Sequence, residues 1–226
     1  LGEEGNGYLR VGDAVLIASP AYSPYNGILE HRRMKIIPLS LDPVTGAVHS
    51  GSLRKLDTLQ EKIKLIVFID PNNPTGASAA PGLLGVIADL AEKHDSLIVT
   101  DAVYSDFFPA KHDLIDICPK RVLRIHARSK IERSTGLRFG DILINKQAQA
   151  FLMERFGIDF LRYFINAKAP GGVYGELFHT TFVPGPVQAL GILHMILGGE
   201  DRARALVEMR TARDFCVEAE PRGGEH

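Results

Sequence analysis

The chain has 226 residues, 45% of them hydrophobic and 23% charged, with a formal net charge of −1. Such values describe a globular chain with a substantial core, and near-neutrality removes the electrostatic case for nucleic acid or an anionic membrane as partner. Cys118 and Cys216 stand far apart, so neither a disulfide framework nor a cysteine zinc site is expected. No apolar run approaches a membrane span and no leader-like segment opens the chain; a soluble, cytoplasmic protein is the expectation.

Short apolar runs alternate with amphipathic segments, the pattern of βαβ units around a mostly parallel sheet. Residues 14–18 read as a strand, followed by a turn at Ser19-Pro20 and a short helix reaching about residue 33. Residues 36–39 are a second strand, and Asp42-Pro43-Val44-Thr45-Gly46 is turn chemistry. A helix over 52–61 leads into a strand at 65–69. Pro81 suits the first turn of a helix running to residue 94, because its missing N–H is unused there. Leu83, Leu84, Ile87, Leu90 and Ala91 give that helix an apolar stripe. Residues 97–100, 122–125 and 139–144 are three further strands. Beyond Asn145 the pattern predicts helices over 147–156 and 160–166, a Pro-Gly-Gly loop at 170–172, a helix over 186–197 and a charged helix over 201–220.

The expected fold class is α/β, a three-layer α/β/α sandwich with a mostly parallel sheet. Residues 1–198 form its large domain, and Gly198-Gly199 marks the boundary to a tail or small domain over 199–226. The chain opens without a methionine and closes on a polar tail after one helix, which reads as a piece of something longer.

Polar signatures follow the predicted strands in order: Tyr22 in Ser-Pro-Ala-Tyr, Asn73 in Asp-Pro-Asn-Asn-Pro-Thr-Gly, Asp101 and Tyr104 in Thr-Asp-Ala-Val-Tyr, Ser129-Lys130, and Arg138 between Gly136 and Gly140. In a doubly wound sheet, ligands collect at the carboxyl ends of the strands. An amine, a carboxylate and a guanidinium converging there match the aldehyde, pyridine nitrogen and phosphate of pyridoxal 5'-phosphate (PLP). Lys130 lies in a run with Arg121, Arg124, Arg128 and Arg133, whose charges are expected to depress its pKa and favour Schiff-base formation; the bland alternative is a solvated basic loop. Asp101 can hold a pyridinium proton or cap a helix. Tyr104 and Tyr22 can meet the same ligand or pack as core aromatics, the Asn73 segment can be a plain turn, and Arg138 can bind phosphate or sit in a surface ion pair.

Taken together, these motifs resemble the fold-type I, class I/II PLP-dependent aminotransferases, which carry an Asn-Pro-Thr-Gly turn, an Asp-x-x-Tyr pair, a Ser-Lys and a Gly-x-Arg-x-Gly in this order. The resemblance implies that Lys130 carries the cofactor as an internal aldimine and then moves the substrate's α-proton, with Tyr104 beside it. It implies further that Asp101 pairs with the pyridine nitrogen, Asn73 and Tyr104 hydrogen-bond the ring oxygen, Tyr22 stacks on the ring, and Ser129 and Arg138 bind phosphate. An amino acid and a 2-oxo acid would be the substrates, and a homodimer the assembly.

Ser19-Pro20-Ala21-Tyr22-Ser23-Pro24-Tyr25, Val99–Tyr104 and His179-Thr180-Thr181 resemble the aspartate 4-decarboxylase branch, a lyase sharing these cofactor residues. Departures from the family pattern are Ala127 in place of a phosphate-binding serine, Asp70 in place of an asparagine, and the missing glycine- or serine-rich phosphate loop before the first strand. The arginine that binds the substrate carboxylate in the family belongs to a small domain that this chain barely begins. Two alternatives follow: an aminotransferase-like binding module and a catalytically inactive fragment. No phosphate-loop, zinc-helix or nucleophile-elbow motif competes, and His179 and His194 lack ligand spacing.

Overall fold

A computed structural model describes residues 8–80, 82–107, 113–131, 140–164 and 207. Six strands form one sheet in the order β2-β1-β3-β4-β5-β6. They are β1 (Ala14–Ser19), β2 (Lys35–Ser40), β3 (Ile63–Ile69), β4 (Leu97–Asp101), β5 (Val122–Ala127) and β6 (Gly140–Leu143). The first five run parallel, and β6 returns antiparallel to β5, pairing Ala127 with Gly140 and Arg124 with Leu143. The central strands are buried on both sides, as continuous apolar runs such as residues 66–69 require.

Helices cover both faces. Packed on one face are α2 (Ser50–Asp57), α3 (Leu83–His94) and α4 (Leu114–Ile117), whose Leu56, Ile87, Leu90 and Leu114 meet Leu16, Ile66, Phe68, Ile98 and Val122. On the other face, α1 (Ser23–His31) lays Leu29 and Tyr25 against Val15, Ile17 and Val67. There too, Leu152 of α6 (Lys146–Phe164) reaches Leu97. This is the expected three-layer α/β/α arrangement.

Local differences have physical causes. α2 spans Ser50–Asp57, ahead of the predicted 52–61, and Thr58 closes it with its hydroxyl on the carbonyls of Arg54 and Lys55. α3 begins at Leu83 behind a left-handed Gly82; Pro81 lies outside the described residues. The two helices expected over 147–156 and 160–166 are one, Lys146–Phe164, because Gly157 lowers helix propensity without ending the helix. Short elements at Ser105–Phe107 (a 3-10 turn), Leu114–Ile117 and α5 (Arg128–Ile131) went unpredicted, being too brief to show a period. Arg133, Arg138, the loop at 170–172, the helices expected over 186–197 and 201–220, His179, His194, Cys216 and the expected domain boundary lie outside the described residues.

Candidate active site

The strand order reverses between β1 and β3, since β2 lies outside β1 while β4 to β6 extend beyond β3. Crevices form at such switch points, outside the carboxyl ends of the strands. Tyr22 follows β1, Asn73 follows β3, Asp101 ends β4 with Tyr104 just beyond it, and Ser129 and Lys130 follow β5 in α5. Four neighbouring strand ends thus bring six of the seven predicted residue positions to one edge of the sheet.

Asp101 is the best defined of them. It is 9% exposed, and each carboxylate oxygen accepts one bond: Oδ1 from the backbone N–H of Val103 at 3.1 Å and Oδ2 from the Tyr25 hydroxyl at 2.7 Å. The Val103 bond is a local turn of the kind a capping aspartate makes, but the Tyr25 bond crosses from α1 to β4. Burial, then the Asp101 charge and the hydrogen bond itself, push the Tyr25 phenol far above its ordinary range. The phenol therefore keeps its proton and acts as the donor. Each oxygen retains a lone pair for a further donor, because a carboxylate offers about four acceptor sites.

Around it stand the other candidates. Tyr22, at the start of α1, is 46% exposed and meets the Tyr25 ring edge-on at 6.2 Å. Asn73 is half-buried in the turn after β3, while its neighbour Asn72 ties that turn together. Asn72 donates to the carbonyl of Pro20 at 2.9 Å and accepts from the Thr75 N–H and hydroxyl at 3.2 and 3.0 Å. Asn72 thereby joins the segments after β1 and β3 across the switch point. Asp70, the residue that replaces an asparagine, accepts the Ala79 N–H at 2.9 Å, as an amide oxygen also can. Burial raises its pKa, with that hydrogen bond opposing. Tyr104 is half-buried, and the Lys130 ammonium lies 5.8 Å from the centre of its ring. Ser129 is half-buried beside the exposed Lys130.

The chain matches the family model described as "Aminotransferase class I and II" over residues 8–167. It belongs to the class I and II aminotransferase family. Among its relatives, a bifunctional aspartate aminotransferase and L-aspartate beta-decarboxylase from a Pseudomonas species is 34% identical over 146 residues, covering 62% of this chain and 27% of that protein. An aspartate aminotransferase from Pyrococcus horikoshii is 30% identical over 142 residues, covering 62% of this chain and 36% of that protein. The chain therefore spans only about a quarter to a third of the length of these curated relatives. In fold it is similar to N-succinyldiaminopimelate aminotransferase from Mycobacterium tuberculosis, with a TM-score of 0.68 and 21% identity over 93% of this chain and 51% of that one.

Membership of the aminotransferase family makes two site details notable. Tyr25 was not among the predicted site residues, because its partner Asp101 lies 76 residues further along the chain. The supposed cationic surroundings of Lys130 also need correction. Arg121 opens β5 at its far end and is committed to Glu92 and Asp95, at 2.9 Å each. Arg124 is paired with Asp113 at 2.8 Å. Their charges are matched by carboxylates, so neither is the unpaired neighbouring cation that the linear sequence implied.

Proposed function

We propose that this chain is the cofactor-binding part of a PLP-dependent aminotransferase acting on an amino acid and a 2-oxo acid. The observation that carries the reading is Asp101: a buried carboxylate at a parallel strand's end, with one donor on each oxygen and capacity for one more. The donor set suits PLP, since a ring N–H needs such an acceptor and an aldehyde needs the primary amine that Lys130 presents. When bound, the cofactor supplies an electron sink for the carbanion left as the substrate's Cα–H bond breaks.

The chain's own residues do the rest. Asp101 accepts the ring N–H and holds it in place. Lys130 takes the proton from Cα and returns it, as general base and then acid. Tyr104 and Asn73 donate to the ring oxygen, Tyr22 covers the ring face, and Ser129 and Arg138 bind the phosphate, Arg138 through its guanidinium fork. The substrate carboxylate is held outside this chain's assigned residues, and the assembly proposed is a homodimer in the cytoplasm.

A second reading, β-decarboxylation of aspartate, is favoured by the Pseudomonas relative, whose name carries both activities. Borohydride reduction after incubation with PLP, followed by peptide mass mapping, tests the common core. A pyridoxyl adduct on Lys130, lost in Lys130→Ala, supports a working cofactor site; no adduct refutes it. Incubation with aspartate and a 2-oxo acid then separates the readings, alanine and carbon dioxide indicating the lyase and a new amino acid the transferase.

A further inference from the structure

The segment between β4 and β5 carries Tyr104, and β5 leads straight into α5 and Lys130. One face of β5 holds that segment through two hydrogen bonds from Arg124 and brings His126 against it. Arg124 donates through Nη2 to the Ser105 hydroxyl at 2.9 Å and through Nε to Asp113 Oδ2 at 2.8 Å. Two residues on, and so on the same face of the strand, His126 Nε2 stands 3.2 Å from Asp106 Oδ2. His126 is 5% exposed. Ser105 and Asp106 directly follow Tyr104, and the buried Phe107 anchors the turn behind them, its ring 6.4 Å from that of Tyr104.

We propose that Ser105 and Asp106, held by Arg124 and His126, are positioning residues that set the Tyr104 ring against the Lys130 amine. All four act through Tyr104. A short turn leaving a strand has many available courses, and each fixed course costs conformational entropy. Two side chains projecting from a rigid strand supply the missing constraint, and that strand also carries Lys130. The spacing between phenol and amine is therefore defined within one body. The inference gains its catalytic meaning from the PLP reading, but the contact it explains exists without cofactor and is testable without it.

The test is lysine-resolved acylation of the full chain without PLP, quantified by mass spectrometry. A cation 5.8 Å from an aromatic ring is attracted to it by about 0.5–1 kcal/mol, so losing the ring should free the amine and speed Lys130 labelling about two- to fivefold. Tyr104→Ala calibrates this gain. Asp106→Ala and His126→Gln are expected to reproduce it, with Asp106→Asn as a milder variant should alanine impair folding. Labelling of Lys93 and the melting midpoint should stay unchanged. The double variant should label no faster than either single one, because both remove the same contact. Unchanged Lys130 labelling in Asp106→Ala and His126→Gln, additive effects in the double variant, or no response to Tyr104→Ala would overturn the proposal. Borohydride trapping of PLP on the same samples reports separately on the cofactor reading, so either can fail alone.

Discussion

The Tyr25 hydroxyl donates to Asp101 Oδ2 at 2.7 Å, joining the helix after β1 to the end of β4. A hydrogen bond to a charged acceptor contributes about 1.5–3 kcal/mol, and here it also fixes where the carboxylate points. Tyr25→Phe keeps the ring and its packing while removing the donor. PLP affinity, measured by fluorescence titration, is expected to fall about tenfold or more. Wild-type affinity in Tyr25→Phe would mean that Asp101 needs no second-layer support.

The base of β5 depends on Arg121, which is 5% exposed. It donates to Glu92 Oε1 and Oε2 at 2.9 and 3.0 Å, to Asp95 at 2.9 Å and to the Ser96 carbonyl at 3.2 Å, under the Phe151 ring. Arg155 makes a further pair with Asp95. Arg121→Met leaves carboxylates that water reaches, so the expected loss is about 2 kcal/mol, below the roughly 3–5 kcal/mol of a stranded buried charge. Urea unfolding gives the number.

The same network predicts an acid limb. The Arg121 hydrogen bonds hold Glu92 down at about 2, against its ordinary 4.5, with desolvation opposing and Lys120 assisting. Folding thus favours the ionised form, and the stabilisation is complete above pH 4.5 and lost as pH falls towards about 2. Glu92 is 47% exposed, so its own share is at most about 1 kcal/mol. Glu92→Gln should flatten this part of the stability–pH curve; an unchanged slope would remove Glu92 from the account.

His94 acts at milder pH. Buried at the end of α3, it accepts the Ile63 N–H through Nδ1 at 3.4 Å. Burial first, then the charges of Lys93 and Lys62, lower its pKa below 6.5. Protons then prefer the unfolded chain, so this contribution is intact above pH 6.5 and declines as pH drops below it. His94→Gln should weaken the decline that begins below pH 6.5, read from denaturant midpoints; persistence of the full slope would point to other groups.

Gly46 closes the loop joined by the Leu41–Val48 bridge, at φ +67°, and a Cβ there would lie 2.6 Å from the Ser78 carbonyl oxygen. Asp42 already fixes the loop by accepting from Val44 N–H at 3.0 Å and from the Thr45 hydroxyl at 2.8 Å, so the backbone has little room to yield. Gly46→Ala is expected to cost about 2 kcal/mol. A neutral result would show that residues 77–80 shift readily.

Much of this was legible in the sequence because buried parallel strands write themselves as unbroken apolar runs. Residues 65–69 and 97–99 needed little else, and the polar residues at the strand ends could be ordered without coordinates. What stayed hidden was pairing across long separations. Arg121 and Arg124 sit beside Lys130 in the chain, yet one is spent on α3 and the other on Asp113. A linear run of cations says nothing about which carboxylates fold onto it. Tyr25 was obscured for a similar reason: its partner, Asp101, lies far along the chain, and no local pattern records a helix crossing to a distant strand.

Gly140 has a consequence of another kind. It pairs with Ala127, and a Cβ on it would stand 2.9 Å from the His126 carbonyl oxygen. The end of β5 and the start of β6 are therefore locked side by side with no room for a side chain at residue 140. Any substitution there must push β6 away from the strand that leads into Lys130, so a residue with no chemistry of its own fixes where that strand ends.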